Sequence, residues 1–238
     1  MIARPQALTL DEVHGYVNRL RVETIGQPHW LIGKQAFEYG EETVRVVAVL
    51  KVIRAAQGLT ALETLLRAGL FIDFGAAIRC LYDAVAEAYF LMEEYPRSSP
   101  NVERFVKSFF DSHINGYLDA KNTVPSQKIR AAYVRCIAGG PHERARVSAE
   151  RIFKTFSGYI HANYAHIMEI YNGGEDDFYL RGVPSVEQRA KRWPQIDYAA
   201  DAVLHAAAFI AKKIGMTEFY KELVPVLIEN DRRLHSQT

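Results

Sequence analysis

Apolar residues recur at spacings of three and four over most of the chain, the period of a helix with one buried face. The signals that open and close helices are legible between these stretches. Thr9 with Glu12, Thr60 with Glu63, and Ser185 with Gln188 fit the capping box, in which a hydroxyl and a carboxylate or amide each satisfy an orphan backbone donor. Ser99-Pro100 reads as an N-cap followed by proline at the first helical position, and Gly58 and Gly215 stand where a left-handed residue ends a helix. The pattern predicts helices over 9–26, 41–57, 60–95, 100–120, 126–138, 146–172, 194–214 and 217–234, with a short turn at 185–192 ended by Pro194. Residues 172–184 lack helical period; they are acidic at Glu175-Asp176-Asp177, and Phe178-Tyr179-Leu180 can form a short strand. No internal repeat, low-complexity tract or Pro/Ser-rich linker divides the chain. The expected fold is all-α: a single-domain bundle of about eight helices with one irregular segment.

Two helices carry most of the candidate chemistry. On the one opening at Thr60, Ile78, Leu81, Val85, Tyr89 and Met92 share a face, while Arg79 and Asp83 share another with Ile72, Ala76, Ala86 and Phe90. A helix apolar on both sides is a central, buried one. Arg79 and Asp83 are therefore expected as an at least partly desolvated pair, whose disruption costs about 3–5 kcal/mol because the surviving charge is uncompensated. The alternative is a structural i,i+4 ion pair on a partly wet face. On the second helix, Phe153, Phe156, Ile160, Ile167, Ile170 and Tyr171 form the core face, and Asn163 among them needs a hydrogen-bonding partner. Lys154, Ser157, His161 and Tyr164 form a separate stripe, with Ser157 and His161 one turn apart. His161 and His166 stand about 140° apart around such a helix, too far to chelate one ion.

Composition narrows the classes. The 238 residues are 49% apolar and 24% charged, enough for a large core, and the formal net charge of +1 supplies no global field toward nucleic acid or membrane. Cys80 and Cys136 fit neither a disulfide scaffold nor a structural zinc site. The opening Met1-Ile2-Ala3-Arg4-Pro5 lacks a signal-peptide core, and the most apolar stretch, 65–92, is interrupted by charges, so a cytoplasmic protein without a membrane span is expected. Local charge is less even: between residues 121 and 156, Lys121, Lys128, Arg130, Arg135, Arg144, Arg146, Arg151 and Lys154 face only Glu143 and Glu150. Beside Tyr133 and Tyr159, this stripe could hold a phosphate backbone; its nucleic-acid candidates are Arg144, Arg146, Arg151 and Lys154. No phosphate-loop pattern or serine-hydrolase elbow occurs, and Gly139-Gly140 and Gly173-Gly174 read as helix stops.

Ile78-Arg79-Cys80-Leu81-Tyr82-Asp83 and Phe156-Ser157-Gly158-Tyr159-Ile160-His161 together resemble an uncharacterised group of bacterial helical proteins. That group pairs Arg-x3-acid on a central helix with Ser-x3-His on a later one. The resemblance spans roughly residues 40–214, with helices 9–26 and 217–234 packed on this core. The group is similar in outline to HEPN-type and abortive-infection proteins, many of them metal-independent ribonucleases of defence or toxin systems. It implies Arg79, Asp83, Ser157 and His161 as a catalytic set acting on RNA without a cofactor or metal. Arg79 would hold the phosphate, His161 would exchange protons, and Asp83 would orient one of them. The HEPN signature sets an arginine shortly before the histidine, a place Lys154 would have to fill here.

Two other readings stand beside this one. The first is a non-catalytic interaction module, a homodimer or the partner of an operon-encoded protein. The second is a bundle binding a small molecule or a metal, with Asp83, Glu87 and His161 as the ligands considered. The enzyme reading requires Arg79, Asp83 and His161 to meet in one cleft, with the 172–184 segment over or beside it.

Overall fold

The computed structural model describes residues 8–33, 35–115, 124–140, 143–173 and 178–236, with the side chains of 112–115 and of residue 144 outside that description. The chain runs α1 (Leu10–Thr24), β1 (His29–Leu31), β2 (Ala36–Glu38), α2 (Val44–Ala68), α3 (Phe71–Met92), α4 (Pro100–Asn115), α5 (Ser126–Ala138) and α6 (Glu143–Ile160). It continues through α7 (Tyr164–Ile167), a 3-10 turn at Met168–Ile170, α8 (Val186–Ala190), α9 (Trp193–Ile214) and α10 (Thr217–His235). The fold is an all-α bundle in which α1–α6, α9 and α10 each have 13 residues or more. Among the described residues, no helix is long and apolar enough to cross a membrane.

One hydrophobic core runs through the bundle, centred on α2, α3 and α9. α3 lies between α2 on one side and α5, α6 and α9 on others, which explains why it is apolar around most of its circumference. The capping box at Thr9 and Glu12 forms as expected, whereas at α8 only its first half forms, Ser185 Oγ accepting from the Gln188 backbone N–H. α8 does not end at Pro194, which instead lies in the first turn of α9, where proline lacks nothing the helix needs.

Three local expectations are corrected. Gly58 does not stop a helix: α2 runs through it to Ala68, and the break falls at Gly69. Gly69 has φ 73°, its N–H bonds back to Leu65 and Leu66, and a Cβ there would stand 2.3 Å from the Val183 carbonyl oxygen, so only glycine fits. The Thr60–Glu63 pair accordingly sits mid-helix and caps nothing. The helix expected over 146–172 ends at Ile160, in a Schellman turn with Ala162 in the left-handed region at φ 46°. There the Asn163 N–H bonds to Gly158 O at 3.0 Å and the Ala162 N–H to Tyr159 O at 3.1 Å. Asn163 is thereby an exposed N-cap of α7 rather than a core residue. The periodic pattern gives no warning, because alanine stands where glycine usually marks such a stop.

The third correction is a two-stranded antiparallel hairpin, His29–Leu31 with Ala36–Glu38, where the sequence pattern predicts no strand. Its Trp30 and Phe37 rings meet edge to face at 4.9 Å across the strands and both remain exposed. The irregular segment after α7 holds an isolated bridge, Tyr171 to Phe178, as the apolar run there allowed; the acidic residues 175–177 lie outside the described residues.

Candidate functional site

The Arg79–Asp83 pair forms as the spacing required. Arg79 Nε donates to Asp83 Oδ2 at 2.9 Å and Nη2 to Oδ1 at 3.0 Å, a two-point fork. Arg79 Nη1 donates to the Phe153 carbonyl at 3.0 Å, tying α3 to α6. The guanidiniums of Arg79 and Arg130 both lie over the Phe153 ring, at 5.1 and 4.7 Å from its centre. Arg130 Nε is buried without a hydrogen-bond partner among the described residues, and burial, then the Arg79 charge, holds its pKa below the ordinary value.

His161 does not join this pair. α3 and α6 pack antiparallel: Gly75 faces the Tyr159 ring, while Arg79, one turn on, reaches Phe153. His161 lies beyond Tyr159, roughly 12 Å along the helix axis from Phe153, whereas Asp83 lies beyond Arg79 in the opposite direction. His161 is exposed in the turn after α6, and no hydrogen bond or ion pair joins its side chain to Arg79 or Asp83 among the described residues. Ser157 is half-buried one turn earlier, related to His161 by the His161 N–H to Ser157 O bond at 3.2 Å. Glu87, considered as a partner ligand, is held by Lys51 of α2 at 2.6 Å. Of the basic candidates, Arg146 is engaged by Glu143 and Glu150 at 2.6 and 2.5 Å. Arg151 and Lys154 are exposed without an acidic partner among the described residues, and the Arg144 side chain falls outside them.

A different set of residues does converge. A cavity of about 890 Å³ opens between α3, α5, α6, α9 and α10. Tyr82 and Tyr89 of α3, Tyr133 of α5, Phe156 of α6 and Phe209 of α9 give it an aromatic wall. Tyr89 meets Tyr133 edge to face and Phe209 at a tilt, with ring centres at 5.4 and 4.6 Å. Burial raises the phenol pKa of Tyr82 and Tyr89 and pushes Tyr133 up to about 12, so these hydroxyls stay protonated near neutral pH. The Cys136 thiol on the same wall is pushed up to about 11 by burial and then by Glu93, which disfavours the nucleophilic thiolate.

One wall of this cavity is made by the α9–α10 hairpin, folded back on itself where Gly215 ends α9 with φ 83°. Asp201 and His205 lie one turn apart on α9, and Asp231 faces them from α10. His205 Nε2 is 3.4 Å from Asp201 Oδ2 and 3.9 Å from Asp231 Oδ2. Buried Asn230 donates through Nδ2 to Asp201 Oδ1 at 2.7 Å. The Asp201 side chain is 14% exposed, against 39% for His205 and 49% for Asp231, so the cluster grades from core to surface. Burial raises the Asp201 carboxyl pKa; the Asn230 bond and His205 oppose the shift and Asp231 adds to it.

The sequence does carry a signal for this set. Asp201-Ala-Val-Leu-His205 and Asp231-Arg-Arg-Leu-His235 repeat one Asp-x3-His spacing on two successive helices. Helical geometry puts each pair on one face, and a short interhelix turn puts the two helices side by side. His235 itself turns to the Asp231 carbonyl, at 2.7 Å from its Nδ1. The chain matches no known protein-family model, and no curated protein sequence or solved structure is significantly similar to it.

Proposed function

We propose that this protein is a small-molecule-binding helical bundle whose ligand occupies the cavity between α3, α5, α6, α9 and α10. The observation that carries this reading is the coincidence of a large aromatic-walled cavity with a small cluster of ionisable groups on its α9–α10 wall. Binding sites for small molecules combine these two features: apolar walls supply affinity and a few convergent polar groups fix orientation. The ligand class that fits has an apolar or aromatic body for the Tyr89–Tyr133–Phe209 wall and a polar head for Asp201, His205 and Asp231.

The ribonuclease reading draws on fewer groups. Arg79 commits three nitrogens to Asp83 and the Phe153 carbonyl, and His161 lies at the far end of the α3–α6 contact. Arg151 and Lys154 are the exposed cations of α6 without an acidic partner among the described residues, and would favour a phosphate backbone.

The cavity reading is tested with N-phenyl-1-naphthylamine, a neutral aromatic probe that fluoresces in apolar surroundings. The wild type should bind it saturably, and Ala202→Trp and Val224→Trp, which place an indole in the cavity, should abolish the signal while retaining wild-type far-UV circular dichroism. Absence of saturable binding, or equal binding by both folded variants, overturns the reading.

A further inference from the structure

The three ionisable groups on the α9–α10 wall of the cavity converge without hydrogen-bonding one another. One donor atom from each of Asp201, His205 and Asp231 lies within 4.8 Å of the other two. A protonated imidazole held as a simple ion pair would aim an N–H at one carboxylate at about 2.7–2.9 Å. His205 Nε2 instead stands between the two carboxylates at 3.4 and 3.9 Å and hydrogen-bonds to neither.

Those separations suit a different occupant. Ligand bonds of about 2.0–2.2 Å in a tetrahedral site set neighbouring donor atoms about 3.3–3.6 Å apart. The 3.4 Å edge already meets this, and the 3.9 Å edge and the Asp201–Asp231 edge, which lies within 4.8 Å, close by rotation of the half-exposed Asp231 side chain. We infer that Asp201, His205 and Asp231 form a divalent transition-metal site whose fourth position opens into the cavity.

The donor set and its support argue for the class of ion. Two carboxylate oxygens with one imidazole nitrogen suit zinc or manganese, whereas magnesium and calcium take oxygen donors. Two carboxylates also balance a 2+ charge, which relieves the desolvation of the buried Asp201. Asn230 supplies the orienting contact that metal-binding carboxylates usually have: its amide holds Asp201 Oδ1 at 2.7 Å and leaves Oδ2 facing His205. All four residues sit on long helices rather than loops, so the geometry is held by the packing of α9 on α10. Three protein ligands and one open position are the arrangement of metal sites that act on a bound molecule rather than brace a fold.

The site adds to the cavity reading without depending on it, since an ion can bind an otherwise empty cavity. The test titrates the chelator-treated full chain with zinc chloride, and separately with manganese chloride, by calorimetry. The wild type should bind one equivalent of at least one of the two ions. His205→Ala, Asp201→Asn and Asp231→Asn should each weaken that binding by at least about tenfold, and Asn230→Leu should weaken it too through the orienting contact. No binding of either ion, or binding that survives in His205→Ala and Asp201→Asn, overturns the site, because the ion is then held elsewhere. Asp201→Asn removes a buried charge, so misfolding does not explain a loss there. Naphthylamine binding in the presence of chelator is measured alongside: its loss with metal binding intact overturns only the cavity reading, and the converse overturns only the metal site.

Discussion

Arg79 and Asp83 form a two-point ion pair in which the cation is buried and the anion is not: the Arg79 side chain is 10% exposed and that of Asp83 is 40%. The helical pattern predicts a pair at least partly desolvated, in which loss of Arg79 is costly because Asp83 is left buried. The observed asymmetry ranks them. Without Asp83, a buried guanidinium keeps only the Phe153 carbonyl, with the Arg130 charge over the same ring. Asp83→Ala should therefore cost about 3 kcal/mol. Arg79→Met preserves apolar volume and leaves a half-hydrated carboxylate, so it should cost about 1–2 kcal/mol. Urea denaturation of the two variants measures the difference. An Arg79→Met loss equal to or above that of Asp83→Ala would show that stranding the cation is not what makes the pair costly to break.

A second prediction concerns how closely α3 approaches its neighbours. A Cβ at Gly75 would stand 2.3 Å from the Tyr159 ring, a clash with a packed aromatic that cannot step aside. At Gly58 the nearest atom is the tip of Leu81, at 3.3 Å, which can give slightly. Both glycines lie in helices, where alanine is intrinsically better by about 1 kcal/mol. Gly58→Ala should thus be near neutral or mildly stabilising. Gly75→Ala should lose about 1–3 kcal/mol by forcing α6 away from α3. Thermal melts that rank the two variants the other way would refute this account of the packing.

The fold is legible in the sequence where local chemistry decides it. Thr9 with Glu12, the left-handed Gly215 and the periodic apolar faces of α5, α9 and α10 each act through neighbours one turn away, and sequence spacing reports such neighbours directly. Gly58 and Gly69 show where that stops. Both resemble helix stops, and only the Val183 carbonyl, more than a hundred residues downstream, decides which one is. The end of α6 is hidden for a related reason, since Ala162 bears the left-handed strain that glycine would have advertised.

Site residues are legible most directly when both partners share a helix. Arg79 with Asp83 can be read from spacing alone. The expected meeting with His161 depends on the register of α3 against α6, which the Gly75–Tyr159 contact sets and no periodicity reveals. The Asp201, His205 and Asp231 cluster could be found from its repeated Asp-x3-His spacing. That repeat is short, and it lies in helices whose stronger signal is their apolar face.

Tyr159 supports a third prediction. Its hydroxyl donates to Glu169 Oε1 at 2.7 Å, and Arg192 Nη2 donates to Glu169 Oε2 at 2.6 Å, fastening the segment after α6 to the start of α9. Burial and then the Glu169 bond push the Tyr159 phenol up to about 12. Tyr159→Phe leaves the ring packed on Gly75 and removes only the hydrogen bond. It should cost about 1 kcal/mol globally, with faster amide exchange concentrated at residues 164–171. Uniform exchange across the bundle would mean that the bond braces the whole core instead of this segment.

Asp201 gives the prediction that joins stability to the candidate site. Its folded-state pKa is raised by burial, against the opposing pull of Asn230, His205 and His235 and with the added push of Asp231. A raised carboxyl pKa means that the folded state favours the proton. The associated stability is full below the unfolded value of about 3.9 and is lost as pH rises through the folded value. At neutral pH the ionised carboxylate therefore weakens the fold. Asp201→Asn removes that cost while keeping an oxygen for the Asn230 amide. In chelator, the variant should melt above wild type at pH 7, and its advantage should shrink as pH falls toward 4. With zinc or manganese at saturating concentration the order should reverse, because the ion stabilises only the chain that binds it. Melting curves at both pH values, with and without metal, test each part separately. A variant less stable than wild type in chelator at pH 7 would show that Asp201 is held as a favourable ion pair with His205, and the buried, unneutralised carboxylate invoked here would not exist.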